Sequence, residues 1–347
     1  MIKQYLFLFS IFLLLILPGC SQKTTQPNII LIMVDDMGYS DIGCYGSEIS
    51  TPNLDQLANE GLRFTQFYNA SRCCPTRASL LTGLYPHQAG MGSMVSTSND
   101  PGPYQGYLNE QSATIAEVLK GAGYTTLMSG KWHVGEQKPN WPTDRGFDHY
   151  FGLISGGANY FDITKGKNDQ VKRQMARDGE PWTPPAEGFY MTDAITEHAV
   201  QFMQEYTDKK NPFFMYVAYT APHWPLHAPE EDIQKYLGTY ASGWDELRAQ
   251  RYQRMIDMGL IDENWQLSPR DPEALPWEDV KDKKLMDRKM AVYAAQIDHM
   301  DRGVGQILEA LKKQGMAENT LVMFLSDNGA CHEGGALGFD RRNNGAP

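Results

Sequence analysis

Apolar positions along this chain fall into two alternating patterns. Unbroken apolar runs cover 28–34, 213–219 and 320–325, with a shorter run at 124–128. Short runs of this kind, bounded by polar turns, predict buried strands of a parallel sheet. Between them apolar residues recur at helical spacing. Leu54, Leu57 and Ala58 mark a helix over 51–60. Ile115, Val118 and Leu119 mark one over 112–122 as its inward face, with Ser112 and Thr114 as candidate caps. Ile195, Ala199, Phe202 and Met203 mark one over 190–206, and Ala294, Ile297, Met300, Val304, Ile307, Leu308 and Leu311 one over 290–313. The charges of this last helix are expected to form a solvated face. An aromatic run at 64–68 predicts a further short strand, and the Gly- and aromatic-rich stretch 143–161 predicts loops around a site. The polar stretch 230–289 reads as helical fragments and Pro-containing turns, with no pattern that carries chemistry. Strands alternating with helices predict an α/β fold, a mostly parallel sheet flanked by helices.

The segment 71–83, Ser-Arg-Cys-Cys-Pro-Thr-Arg-Ala-Ser-Leu-Leu-Thr-Gly, organises the rest. Pro75 suits the first turn of a helix, and Gly83 suits its end. Cys73 is then expected just ahead of the helix N-terminus, where free N–H groups and the dipole favour an anion. Arg77 adds a planar donor fork suited to an oxyanion.

Polar residues follow four apolar runs at once: Asp35 and Asp36; Lys131 and His133; His223; Asp327 and Asn328. Ligands of such sheets bind beyond the carboxyl ends of the strands. Adjacent carboxylates after a buried strand are costly unless something positive compensates them. Oxygen donors from Asp35, Asp36, Asp327 and Asn328 favour a hard divalent cation, Ca2+ ahead of Mg2+, whereas zinc prefers more His or Cys. Arg77, Lys131, His133 and His223 supply donors for an oxyanion. His227 reads as structural. Trp132, Trp141, Tyr160 and Trp224 suit either an aglycone or sugar subsite or ordinary core packing.

Composition narrows the partners. The 347 residues carry a net charge of −11, which argues against nucleic acid and leaves an oxyanion site to build its positive potential locally. Lys3 precedes an apolar run over 5–17 that is short for a membrane span. Leu17-Pro18-Gly19-Cys20 then resembles a bacterial lipoprotein signal. The expectation is a signal over 1–20, a lipid on Cys20, a polar tether over 21–27 and a catalytic domain from 28 to 347. The protein would be exported, periplasmic or on the cell surface, and touch the membrane through its lipid alone. With Cys20 lipidated and Cys73 modified, Cys44, Cys74 and Cys331 remain, enough for one disulfide at most.

Cys73-x-Pro75-x-Arg77, followed by Leu-Thr-Gly, resembles the type I sulfatase signature, with Thr76 in place of the usual Ser. Val34-Asp35-Asp36-Met37-Gly38-Tyr39, Gly130-Lys131-Trp132-His133, Ala221-Pro222-His223 and Ser326-Asp327-Asn328-Gly329 match that family in order. The resemblance implies an alkaline-phosphatase-like fold and hydrolysis of aryl or carbohydrate sulfate esters. It implies that a maturation enzyme oxidises Cys73 to formylglycine, whose hydrate attacks sulfur. Asp35, Asp36, Asp327, Asn328 and the modified Cys73 become the calcium ligands. His223 becomes the acid for the leaving group, His133 the base that expels sulfate, and Arg77 and Lys131 the stabilisers of charged oxygens. The family carries a later lysine ahead of a Glu-Gly-Gly segment and a small C-terminal domain. Glu333-Gly334-Gly335 has no such lysine before it, so the chain reads as incomplete at its C-terminus. Two rivals remain: a phosphonate or phosphate ester hydrolase of the same superfamily, and an inactive glycan-binding surface lipoprotein.

Overall fold

A computed structural model describes residues 26–95, 101–164, 173–207 and 210–331. The signal and tether, and Glu333-Gly334-Gly335, lie outside the described residues. The strands are β1 (Asn28–Asp35), β2 (Thr125–Gly130), β3 (His149–Leu153), β4 (Met175–Arg177), β5 (Glu180–Trp182), β6 (Phe213–Pro222) and β7 (Thr320–Ser326). They form one sheet in the order β5-β4-β3-β2-β6-β1-β7. The five strands from β3 to β7 in that order are parallel, and β4 and β5 add an antiparallel hairpin at one edge. This is the predicted α/β architecture.

Period-two alternation sorts the central strands into two cores. Ile30, Ile32 and Val34 of β1 join Phe213, Met215, Val217 and Tyr219 of β6 on one face. Leu31 and Met33 join Phe214, Tyr216 and Ala218 on the other. The helices α1 (Pro52–Glu60), α4 (Met191–Tyr206) and α7 (Lys283–Lys313) cover the first face, and α2 (Cys73–Thr82) and α3 (Ile115–Gly121) the second. Two polar helices, α5 (Glu230–Gln234) and α6 (Trp244–Asp257), lie between β6 and α7 in the chain.

Several expectations change. The aromatic run 64–68 is irregular and exposed, and no described strand pairs with it. A strand needs a partner for its backbone groups, whatever its side chains favour. Val118 is 60% exposed, because the Thr114–Glu117 capping box starts α3 so that Ala116 is its buried residue. Stretch 143–161 contains β3, and Arg145 within it is a brace: it donates to Glu117 and to the carbonyls of Leu108 and Ser112. The polar face of α7 is not wholly solvated. Asp301 is buried and accepts from the Asn53 and Leu54 amides, capping α1. Trp132, Trp141 and Tyr160 are packed in the core, and Trp224 is half-buried. Cys44, Cys73 and Cys74 are buried free thiols, so no disulfide joins any two of these three.

Candidate active site

Parallel pairing of β1 with β7 sets two acidic turns side by side. Val34 pairs with Ser326, and the Asp327 amide donates to the Val34 carbonyl at 3.0 Å. Asp35 ends β1, and Asp36 turns left-handed with φ 65°. The Asp36 amide then donates to Asp327 Oδ1 at 3.3 Å, and the Met37 amide to Ser326 Oγ at 3.2 Å. The Asn328 amide group also donates to Asp327 Oδ1.

The cations come from α2 and the end of β2. Arg77 is fully buried. Its Nη2 donates to Asp327 Oδ2 at 2.8 Å and stands 3.8 Å from Asp35, while Nη1 donates to the Lys131 carbonyl at 3.0 Å. Lys131, also fully buried, donates through Nζ to Asp35 Oδ2. Both cations are therefore tied to carboxylates rather than held free for an oxyanion. The expected position of Cys73 also changes slightly, since it is the first residue of α2 and Arg72 is the N-cap. Thr76 keeps a use for its hydroxyl, which accepts from the Ala70 amide at 3.0 Å and closes the loop before the helix.

The histidines sit on either side. Cys73, Cys74 and His133 bring their donor atoms within 4.8 Å of one another, as do Asp35, Asp36 and His223. His223 Nε2 is 3.5 Å from Asp36 Oδ2. His133 is left-handed with φ 58°, and its amide donates to the Ile154 carbonyl. Gly156 and Gly157, passed over in the sequence, matter here. A Cβ on Gly156 would lie 2.7 Å from the His133 ring, and one on Gly157 would lie 2.8 Å from the His223 ring. A Gly-Gly pair soon after a strand was the available signal. Tyr216 was likewise missed; its hydroxyl is 3.4 Å from Arg77 Nη1.

Electrostatics follow from burial and crowding. Burial, with the Asp35 charge adding to it, pushes Asp327 up to about 7 against the pull of Arg77 and Lys131. Burial also raises Asp36, while His223 and Lys131 oppose. Burial and the nearby Lys131 push His133 down to about 4, so it is neutral at neutral pH. A hydrogen bond from the Cys74 thiol, helped by Lys131 and His133, holds the Cys73 thiol well below its usual range against burial.

These residues suit a hard cation. Three carboxylates meet two buried cations, and Asp35 Oδ1 is buried with no hydrogen-bond partner. An orphaned carboxylate oxygen in a site of oxygen donors is a place that a divalent ion would satisfy.

Comparison with known proteins gives the family. The Sulfatase family model matches residues 27–346. The arylsulfatase of Klebsiella aerogenes is 40% identical over 325 residues, covering 91% of this chain and 69% of the relative. An uncharacterised sulfatase of Schizosaccharomyces pombe is 39% identical over 339 residues, covering 91% of this chain and 59% of the relative. The crystal structure of Ps i-CgsB superposes with a TM-score of 0.66 at 33% identity, covering 91% of this chain and 61% of that one. The same protein is known in complex with k-i-k-neocarrahexaose. The chain thus spans roughly three-fifths to two-thirds of these relatives' own lengths. With the matched span running almost from end to end of the described sheet, this chain belongs to the sulfatase family.

Proposed function

We propose that this protein hydrolyses sulfate esters of carbohydrates or phenols, using a formylglycine made from Cys73. One observation carries the reading: Cys73, three carboxylates, two buried cations and two histidines converge from five separate segments beyond the carboxyl ends of the parallel strands. Asp35, Asp36, Asp327 and Asn328 would hold Ca2+, which supplies positive charge to the sulfate oxygens and to the reacting hydroxyl. An aldehyde hydrate at position 73 supplies one hydroxyl to attack sulfur and a second whose deprotonation expels sulfate.

The chain's own residues do the rest. Lys131 and Arg77 hold the carboxylates in place and offset part of their charge beside position 73, so that the site with its divalent ion bound would meet the charged oxygens of the transition state. His133, kept neutral by burial, is ready to take the proton of the second hydroxyl. His223, facing Asp36, is placed to protonate the departing alcohol. His223 Nδ1 bonds the Trp224 carbonyl, which fixes the ring and leaves Nε2 towards the site.

The complex of Ps i-CgsB with k-i-k-neocarrahexaose supports a sulfated glycan as substrate. Export and a lipid on Cys20, part of the same proposal, would bring the enzyme to a sulfated glycan outside the cell. The decisive test is mass spectrometry of the peptide containing Cys73, paired with release of sulfate from p-nitrophenyl sulfate. The expected result is conversion of the thiol to an aldehyde and turnover that Cys73→Ala abolishes. Faster turnover of phosphate or phosphonate esters, or glycan binding without sulfate release, would overturn the reading.

A further inference from the structure

The turn that carries Asp36 is held from outside the site. Asp41 Oδ2 accepts from the Gly38 amide at 2.8 Å and from the Tyr293 hydroxyl at 2.6 Å. The same hydroxyl stands 3.4 Å from the Asp36 carbonyl oxygen. The turn is tight enough that a Cβ on Gly38 would lie 2.5 Å from Asp41 Oδ2. On its other side Asp41 Oδ1 accepts from Arg251 Nη1. Arg251 also grips Glu48, through Nε and Nη2 at 2.8 Å each.

Arg251 belongs to α6, in the stretch that showed no chemistry as sequence. None of the side chains of α6 is buried. Polar bonds tie it to the turn region, Arg251 to Asp41 and Glu48, and Arg254 to the Gly46 carbonyl at 2.7 Å and to Glu48 at 3.5 Å, beside the Met255 side chain that lies close to Gly46. Asp41 and Arg251 are nonetheless largely shielded, with side chains 7% and 13% exposed. One carboxylate thus joins a backbone amide of the turn, a tyrosine of α7 and an arginine of α6.

We propose that Asp41, Tyr293 and Arg251 are positioning residues for the divalent-ion site, holding the left-handed Asp36 turn in its ligating shape before the ion arrives. The inference rests on the reading of Asp36 as a calcium ligand. A turn that is already ordered binds without an ordering cost, and one released from its brace must be ordered on binding. Arg254 anchors the same helix yet makes no contact with the turn, so it separates positioning from helix docking.

Calcium titration calorimetry on the purified protein tests this, with hydrogen exchange at amides 36–38 as a second readout. Tyr293→Phe, Asp41→Asn and Arg251→Met are each expected to weaken Ca2+ binding about tenfold, equivalent to about 1.4 kcal/mol. Exchange at the Gly38 amide should rise in all three. Arg254→Met is expected to keep the affinity within about twofold on the same scale. Tyr293→Phe removes only a hydroxyl, so it keeps the test valid if Arg251→Met loosens the helix. Unchanged affinity in Tyr293→Phe and Asp41→Asn overturns the proposal, as does an equal loss in Arg254→Met. If the unsubstituted protein binds no calcium, the metal reading falls and this inference falls with it. Binding by the unsubstituted protein with no effect of the variants removes the brace alone.

Discussion

At Gly130 the chain leaves β2 with φ 123°, and an added Cβ would lie 2.0 Å from the Ala218 carbonyl oxygen. The next residue is Lys131, whose amide bonds that same carbonyl at 2.8 Å. Any side chain at 130 must push β2 off β6 or rotate the peptide that aims Lys131 at Asp35. Gly130→Ala is expected to destabilise the fold by about 2 kcal/mol or more, read as a shift of the urea midpoint. A stability equal to that of the parent would show that this close approach relaxes freely. Arg77 makes a related point. Its fork joins Asp327 to the Lys131 carbonyl, two groups just past the ends of different strands, which a lysine with one compact head does not bridge in the same way.

Elements are joined to one another by polar groups whose partners are far away in sequence. Asp301 of α7 caps α1, and its loss would leave the Asn53 and Leu54 amides without their acceptor. Asp301→Ala should cost about 2–3 kcal/mol, with α1 showing the largest gain in hydrogen exchange. A loss confined to a few tenths would mean that water replaces the cap. His299 of α7 is a second junction. Its ring nitrogens sit 2.6 Å from Asp232 of α5 and 2.6 Å from Asp193 of α4. Arg302 of α7 also donates to Asp232, and Asp298 pairs with Arg302. Burial lowers the His299 pKa, but the two carboxylates outweigh it and the net shift is upward. The protonated ring therefore stabilises the fold. That contribution is complete below the ordinary histidine value of about 6.5 and is lost as pH rises through the raised folded value. His299→Gln should flatten the decline of stability above about pH 6.5, measured by thermal melts across pH. A variant whose profile parallels the parent would show that His299 is not the group responsible.

Across the whole molecule, five parallel strands send their carboxyl ends the same way, and Asp35, Asp36 and Asp327 gather beyond the ends of β1 and β7. With a divalent ion read there, binding would stabilise the folded chain by linkage, about 2.7 kcal/mol at a hundredfold excess over Kd. EDTA should lower the melting temperature, and added Ca2+ should restore it more fully than Mg2+. A melting temperature indifferent to both treatments would count against the site. The two polar helices act at this scale mainly through charged groups: Asp232 of α5 joins α7 through His299 and Arg302, and Arg251 of α6 reaches Asp41 beside the Asp36 turn.

The order of strands and helices was legible in the sequence because each central strand is an apolar run that ends abruptly in polar residues. Asp35, Lys131, His223 and Asp327 were visible for the same reason, since parallel strands must deliver their ends to one side. Weak local signals hid the rest. Strands β3, β4 and β5 are short and carry Gly152 and Pro181, and pairing with β2 and with one another formed them. The run 64–68 has strand-like side chains yet no described partner. That Arg77 turns towards Asp327, and that Arg251 reaches Asp41 across 210 positions, depends on which groups packing leaves buried and unpaired. Local pattern determined the central strands, the main helices and where their polar ends lie. Tertiary packing alone decided which charges meet, because the cost of a buried charge is settled by its neighbours in space.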